Sequence, residues 1–221
     1  MFNSPGERKM KKDYTHITVI LDRSGSMESI RTDTIGGINT FLETQKGEPG
    51  EATLTLVQFD TQDPYEIIER FRPIKDVSPL TLATYVPRGM TPLLDALGRG
   101  INDIEEGISN LEEEDKPSKV IVAIITDGEE NSSREFKKEQ IVKMITEKTT
   151  KNDWQFLYLS ADLNAFDDAR QLGFTPQRSM KYEKSGDGVN YCMSVLSEGV
   201  SEFRRSESKK DISFEKKSTK P

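Results

Sequence analysis

The chain has 221 residues, of which 33% are hydrophobic and 31% are charged, so it is long enough for one α/β domain of ordinary size. Its longest aliphatic run, residues 120–125, is far shorter than the roughly 20 residues of a membrane helix, and the first dozen residues lack the apolar segment of a secretory signal. Cys192 and His16 are the single cysteine and histidine, which excludes an internal disulfide and a zinc site built on several such residues. We therefore expect a cytoplasmic protein without a membrane segment.

Charge is distributed unevenly along the chain, whose formal net charge is −7. Residues 1–12 carry a net charge of +3 and residues 204–221 a net charge of +4, which leaves −14 on residues 13–203. Because a strongly acidic body repels nucleic acids and anionic membranes, we expect neither as a partner. The composition predicts a flexible basic leader at 1–13, one domain at 14–203 and a disordered basic tail at 204–221.

Strands and helices alternate along the predicted domain, apart from one hairpin near residue 60. Hydrophobic periodicity predicts strands at 15–21, 52–59, 65–74, 119–126, 154–160 and 175–182. It predicts helices at 28–45, 92–108, 134–149, 164–172 and 187–203. This order favours a doubly wound, mainly parallel sheet with helices on both faces. In such sheets ligands bind at the carboxyl ends of the strands.

Two of the predicted strands end in a carboxylate, at Asp22 and Asp127. Parallel neighbours would bring these carboxylates to the same edge of the sheet. Ser24 and Ser26 follow Asp22 at intervals of two, and Thr91 directly precedes a predicted helix. Hydroxyl and carboxylate oxygens are ligands for Mg²⁺, Mn²⁺ or Ca²⁺ and do not suit zinc. The alternative is that Asp22 and Ser24 only cap the following helix.

Three segments carry these residues: DRSGS at 22–26, GMTPLLDAL at 89–97 and IITDG at 124–128. In order and spacing they resemble the metal-ion-dependent adhesion site (MIDAS) of von Willebrand factor type A (vWA) domains. The resemblance covers roughly residues 13–203 and is nearest to short intracellular members of bacteria and phages. It implies a Rossmann-like sheet with one short antiparallel edge strand, which fits the predicted hairpin.

The resemblance also implies a role for each matching residue. Ser24 and Ser26 would bind the metal through their hydroxyls, and Thr91, Asp22 and Asp127 would bind it directly or through water. A remaining coordination position would accept an Asp or Glu side chain of a partner protein. The implied function is a non-enzymatic protein-binding module that holds Mg²⁺, or alternatively Mn²⁺ or Ca²⁺. The implied partners include an AAA+ ATPase or a component of a stress or metal-resistance system.

Four charged residues next to these motifs form a candidate rim of the site. Glu129 and Glu130 would repel an acidic ligand if they faced the metal, and Arg23 and Arg88 would then offset that repulsion. The alternative is that both glutamates are solvated loop charges.

Two other functions remain as alternatives. The first is a structural component of a larger assembly, in which the metal contributes stability. The second is a metal-dependent phosphatase of the haloacid dehalogenase type, which also begins with a strand that ends in Asp. That chemistry needs a second Asp two residues later as a general acid, and Ser24 occupies the position here.

Overall fold

The computed structural model describes residues 11–162, 164–207 and 211–214. Residues 1–10 of the predicted leader, and residues 208–210 and 215–221 of the predicted tail, lie outside the described residues. Lys11, Lys12 and Asp13 belong to the first strand, so the leader prediction is wrong for these three. None of the helices in the described ranges has the length and apolar character needed to cross a membrane.

Six strands form a single sheet in the order β3-β2-β1-β4-β5-β6. Their bounds are β1 Lys11–Asp22, β2 Glu51–Phe59, β3 Glu66–Pro73, β4 Pro117–Thr126, β5 Gln155–Ser160 and β6 Ser179–Lys181. All neighbours pair in parallel except β3, which lies antiparallel to β2 at one edge. The predicted Rossmann-like, mainly parallel sheet with one antiparallel edge strand is therefore confirmed.

Helices cover both faces of this sheet. They are α1 Arg31–Gly47, α2 Leu93–Ser109, α3 Lys138–Asn152, α4 Ala165–Gln171 and α5 Gly186–Arg205. Side chains alternate along a strand, so Val19 of β1 packs in the cluster with α1 and α5, while Ile20 packs with α2, α3 and α4. The central strands β1 and β4 are buried on both faces, which explains their β-branched runs, although β1 also carries the buried polar residues His16 and Thr18.

Helix α3 begins at Lys138, four residues later than predicted. The carboxylate of Asp95 accepts hydrogen bonds from the backbone N–H groups of Arg134, Glu135 and Phe136, at 2.8 to 2.9 Å. These bonds hold the segment as a loop. Sequence periodicity misses them because the acceptor lies about 40 positions earlier in the chain.

The predicted disorder of the tail is wrong for residues 211–214. Ile212 and Phe214 are each only 4% exposed and belong to the core cluster around α5. The N–H of Phe214 donates to the Gln177 carbonyl at 2.8 Å, and Asp211 pairs with Arg178 at 2.7 Å. Helix α5 also extends to Arg205, two residues into the predicted tail.

Candidate metal centre

The candidate site lies where β1 and β4 end side by side. Leu21 of β1 is in register with Ile125 of β4, so Asp22 and Asp127 follow at the same edge of the sheet. Asp22 is fully buried, and Ser24 and Asp127 are nearly so, while Ser26 is exposed. The edge thus presents two buried carboxylates beneath a hydroxyl that reaches the surface.

Asp22 is held rigidly at the start of its loop. Its Oδ1 accepts a hydrogen bond from the Ser24 N–H at 2.7 Å, and its Oδ2 accepts one from the Thr126 hydroxyl at 2.6 Å. The Tyr85 hydroxyl donates to the Asp22 backbone carbonyl at 2.7 Å. Burial raises the pKa of the Asp22 carboxyl to about 6, although the hydrogen bonds from Thr126 and Ser24 lower it. The nearby charge of Asp127 contributes to the increase.

A chain of hydrogen bonds connects the first motif to Asp127. The hydroxyls of Ser24 and Ser26 are 3.0 Å apart, and the Ser26 hydroxyl donates to Asp127 Oδ1 at 2.6 Å. A Cβ atom added at Gly128 would lie 3.7 Å from Thr91 Oγ1 and 3.8 Å from Ser26 Oγ. The missing side chain of Gly128 therefore leaves a gap that the Thr91 and Ser26 hydroxyls both face. All five predicted ligand residues lie at this one edge.

The residues present fit a hard divalent cation. They offer three hydroxyl and two carboxylate groups, with no nitrogen or sulfur ligand among them. Burying two neighbouring carboxylates is unfavourable unless a positive charge compensates them. A magnesium-like ion would be held by Asp22, Ser24, Ser26, Thr91 and Asp127.

Lys184 also contacts this group, and the sequence motifs do not point to it. Its Nζ lies 2.6 Å from Asp127 Oδ2, in an ion pair without the geometry of a directed hydrogen bond. Lys184 lies between β6 and α5, far along the chain from Asp127. The Tyr182 hydroxyl donates to the Thr126 carbonyl at 2.9 Å and so fastens this loop beside the end of β4.

The two arginines of the predicted rim gather around another carboxylate. Arg23 is buried and donates to Asp60 Oδ2 at 2.7 Å and to Gln58 Oε1 at 3.2 Å, and Arg88 donates to the same Asp60 oxygen at 2.9 Å. Burial alone would raise the pKa of Asp60, but hydrogen bonds from Arg88 and the backbone, with the charge of Arg23, hold it below its usual value. Both arginines are therefore paired with Asp60 and Glu66 and not with the two glutamates of the predicted rim.

The two glutamates have different surroundings. Glu130 accepts hydrogen bonds from the N–H groups of Ser132 and Ser133 at 2.8 and 2.7 Å, and from the Leu94 N–H at 2.8 Å. It therefore ties the loop after β4 to the start of α2 and is not simply a solvated loop charge. Glu129 is exposed and accepts a hydrogen bond from the Asn164 amide at 2.8 Å.

No family model and no curated protein matches the chain. Several solved structures have a similar fold. Proximal thread matrix protein 1 of the mussel byssus, solved with a zinc-occupied MIDAS motif, is 14% identical over 85% of this chain and 46% of its own, with a TM-score of 0.55. Manganese-loaded TRAP protein of Plasmodium vivax is 14% identical over 83% of this chain and 73% of its own, also with a TM-score of 0.55.

A von Willebrand factor type A protein from Catenulispora acidiphila is 10% identical over 85% of this chain and 42% of its own, with a TM-score of 0.52. The chain thus spans less than half of the length of the mussel and Catenulispora proteins. At these identities the likeness is one of fold. The chain has the vWA fold.

Proposed function

We propose that this domain holds a divalent metal ion, Mg²⁺ in the cell, on Asp22, Ser24, Ser26, Thr91 and Asp127. We propose further that the metal binds an Asp or Glu side chain of a partner protein. The observation that carries the proposal is the meeting of these side chains at one sheet edge: Ser24, Ser26 and Asp127 form a chain of hydrogen bonds, and Thr91 and Ser26 both face the gap left by Gly128. The zinc in the MIDAS of the mussel protein and the manganese loaded into the Plasmodium protein, both of the same fold, support a divalent ion here.

The chain's own groups suit such an interaction. The bound metal would supply the positive charge that attracts an outside carboxylate. Both oxygens of Asp22 already accept hydrogen bonds from protein donors, so part of its negative charge is satisfied within the loop. The hydroxyls of Ser24, Ser26 and Thr91 are neutral. Together these groups would leave the metal enough positive character to bind an acidic partner.

We propose a non-enzymatic role in the cytoplasm. His16, the histidine that could act as a general base near neutral pH, is buried within β1, with its ring between the hydroxyls of Thr53 and Thr18. The partner is a protein, and an AAA+ ATPase or a component of a stress or metal-resistance system is the class that the motif resemblance suggests.

Isothermal titration of the purified chain with MgCl₂ and MnCl₂ tests the metal site. We expect one ion per chain, and we expect Asp22→Ala and Asp127→Ala to abolish binding because each removes one of two carboxylates. Asp63→Ala, which removes an acidic side chain from the neighbouring hairpin, is the matched control. Unchanged titration of Asp22→Ala would refute the assignment.

Capture of partners from the native cell, with Mg²⁺ or with EDTA, tests the binding role. We expect a partner that EDTA releases and that Thr91→Ala weakens while both carboxylates remain in place. Changing one Asp or Glu of that partner to Ala should weaken binding as much as removing the metal does. The loss of binding free energy from the substitution and the loss from metal removal should not add. If the purified protein hydrolyses phosphate esters and Asp22→Asn abolishes that activity, the alternative function, a metal-dependent phosphatase, is supported instead.

A further inference from the structure

We propose that Lys184 is a built-in competitor of the metal, whose ammonium group binds Asp127 in the metal-free protein and leaves when the ion binds. This inference rests on the proposed metal site and concerns its regulation. The contact that carries it is the 2.6 Å separation between Lys184 Nζ and Asp127 Oδ2. The Asp127 side chain is fully buried at this contact, whereas that of Lys184 is 37% exposed.

Lys184 fills an electrostatic need of the metal-free site. The two arginines of the predicted rim, Arg23 and Arg88, are both bound to Asp60. Asp127 has one oxygen bonded to the Ser26 hydroxyl, and its second oxygen faces the Lys184 ammonium group. A buried carboxylate is costly without a compensating charge, so the lysine stabilises the metal-free state.

A metal ion and this ammonium group would compete for the same carboxylate. An ion held between Ser26 and Asp127 would place two positive charges next to the Lys184 ammonium group. Like charges that contact the same buried carboxylate repel each other. The free energy that Lys184 contributes to the metal-free state is therefore lost on metal binding. The apparent metal affinity is lowered by the same amount.

The loop that carries Lys184 allows the side chain to leave without unfolding. Tyr182 before it is fastened to the end of β4, and Ser185 after it accepts a hydrogen bond from the Gly188 N–H at 3.2 Å as the N-cap of α5. Between these two anchors Lys184 is exposed, so rotation of its side chain is enough to release Asp127.

Manganese titration of Lys184→Met and Lys75→Met tests the proposal. Both variants remove one lysine charge, but Lys75 is exposed beyond the end of β3 at the opposite edge of the sheet, and only the first variant removes the contact with Asp127. We expect Lys184→Met to bind Mn²⁺ about tenfold more tightly than the wild type, with a lower melting temperature in EDTA. Lys75→Met should match the wild type in both measurements.

A second measurement follows the lysine directly. Amine acetylation of the wild type, read by mass spectrometry, should label Lys184 faster when Mn²⁺ is added, and the labelling rate of Lys75 should not change. Equal or weaker Mn²⁺ binding by Lys184→Met would overturn the competitor role, and weaker binding would assign Lys184 to orienting Asp127. If neither the wild type nor Lys184→Met binds Mn²⁺, the metal site itself is refuted and the competitor with it.

Discussion

Gly128 contributes to the candidate site by lacking a side chain. A Cβ atom there would make ordinary van der Waals contact with the hydroxyls of Thr91 and Ser26, but any larger group would occupy the space between them. The backbone of Gly128 does not have a positive φ, so an L-residue is tolerated without strain. The size of the side chain at residue 128 is therefore limited by the space that the ion would occupy between the hydroxyls, and the backbone conformation sets no limit.

This constraint gives a prediction about size. Gly128→Val should abolish Mn²⁺ binding in a calorimetric titration, because its two methyl groups fill the gap between the hydroxyls. Gly128→Ala is the matched control and should retain most of the affinity. Both variants should melt close to the wild type in EDTA. Mn²⁺ binding by Gly128→Val equal to that of the wild type would contradict the location of the ion.

His16 is the second residue whose surroundings determine a measurable property. Its ring is fully buried, stacks on Phe71 with a centroid separation of 4.0 Å, and lies between the hydroxyls of Thr53 and Thr18. Burial lowers its pKa to about 3. Between pH 6.5 and pH 3 the unfolded chain binds a proton that the native protein does not, so stability falls as the pH decreases.

The pH dependence of urea unfolding checks this prediction. From pH 6 to pH 4, His16 should lower the free energy of unfolding by about 1.4 kcal/mol per pH unit. His16→Asn, which keeps a polar group between the threonines, should show a shallower pH dependence by that amount. Its absolute stability at pH 7 is not the readout. Equal slopes for the two proteins would mean that His16 takes up its proton while folded.

At the scale of elements, Asp95 links α2 to the loop that precedes α3. It lies in the first turn of α2, is nearly buried, and accepts three backbone hydrogen bonds from residues 134–136. The Ser133 hydroxyl accepts a further bond from the Asp95 N–H at 3.1 Å. With Glu130, this carboxylate positions the whole loop between Asp127 and α3 against the helix that begins after Thr91.

Removal of this carboxylate should loosen the loop. Asp95→Ala leaves three backbone N–H groups without their acceptor and should lower the free energy of unfolding by about 2–3 kcal/mol. Amide hydrogen exchange at 134–136 should accelerate in the same variant. Glu135→Ala is the control within the loop, since it removes a half-exposed ion pair with Arg99, and it should melt like the wild type. Unchanged exchange in Asp95→Ala would show that other contacts hold the loop.

At the scale of the whole molecule, residues 211–214 complete one side of the core. Ile212 approaches α5 at Gly199, where a Cβ atom would lie 3.1 Å from the Ile212 side chain. Phe214 and Ile212 are both buried in the cluster that joins α1, α5 and the sheet. A segment with only two apolar side chains thus docks because α5 supplies a groove with a glycine at its base.

The docked segment should contribute to global stability. Phe214→Ala should lower the free energy of unfolding by about 2–4 kcal/mol, since it opens a cavity next to α5. Ser213→Ala, the neighbouring position, is the control and should change it little. Thermal melting in EDTA measures both variants without a contribution from the metal. A melting temperature for Phe214→Ala equal to that of the wild type would mean that the segment is not bound in solution.

The sequence by itself determined the sheet with its helices, and it singled out the residues that meet at the ends of β1 and β4. Periods of two and 3.6 residues report which face of each element is buried, and a strand that ends in Asp places that side chain at the sheet edge. Tertiary structure alone decided the ion pair of Lys184, the loop held by Asp95, the pairing of Arg23 with Asp60 and the docking of Ile212. Each of these depends on contact between side chains that are far apart in sequence, and a contact of that kind leaves no local periodicity to read.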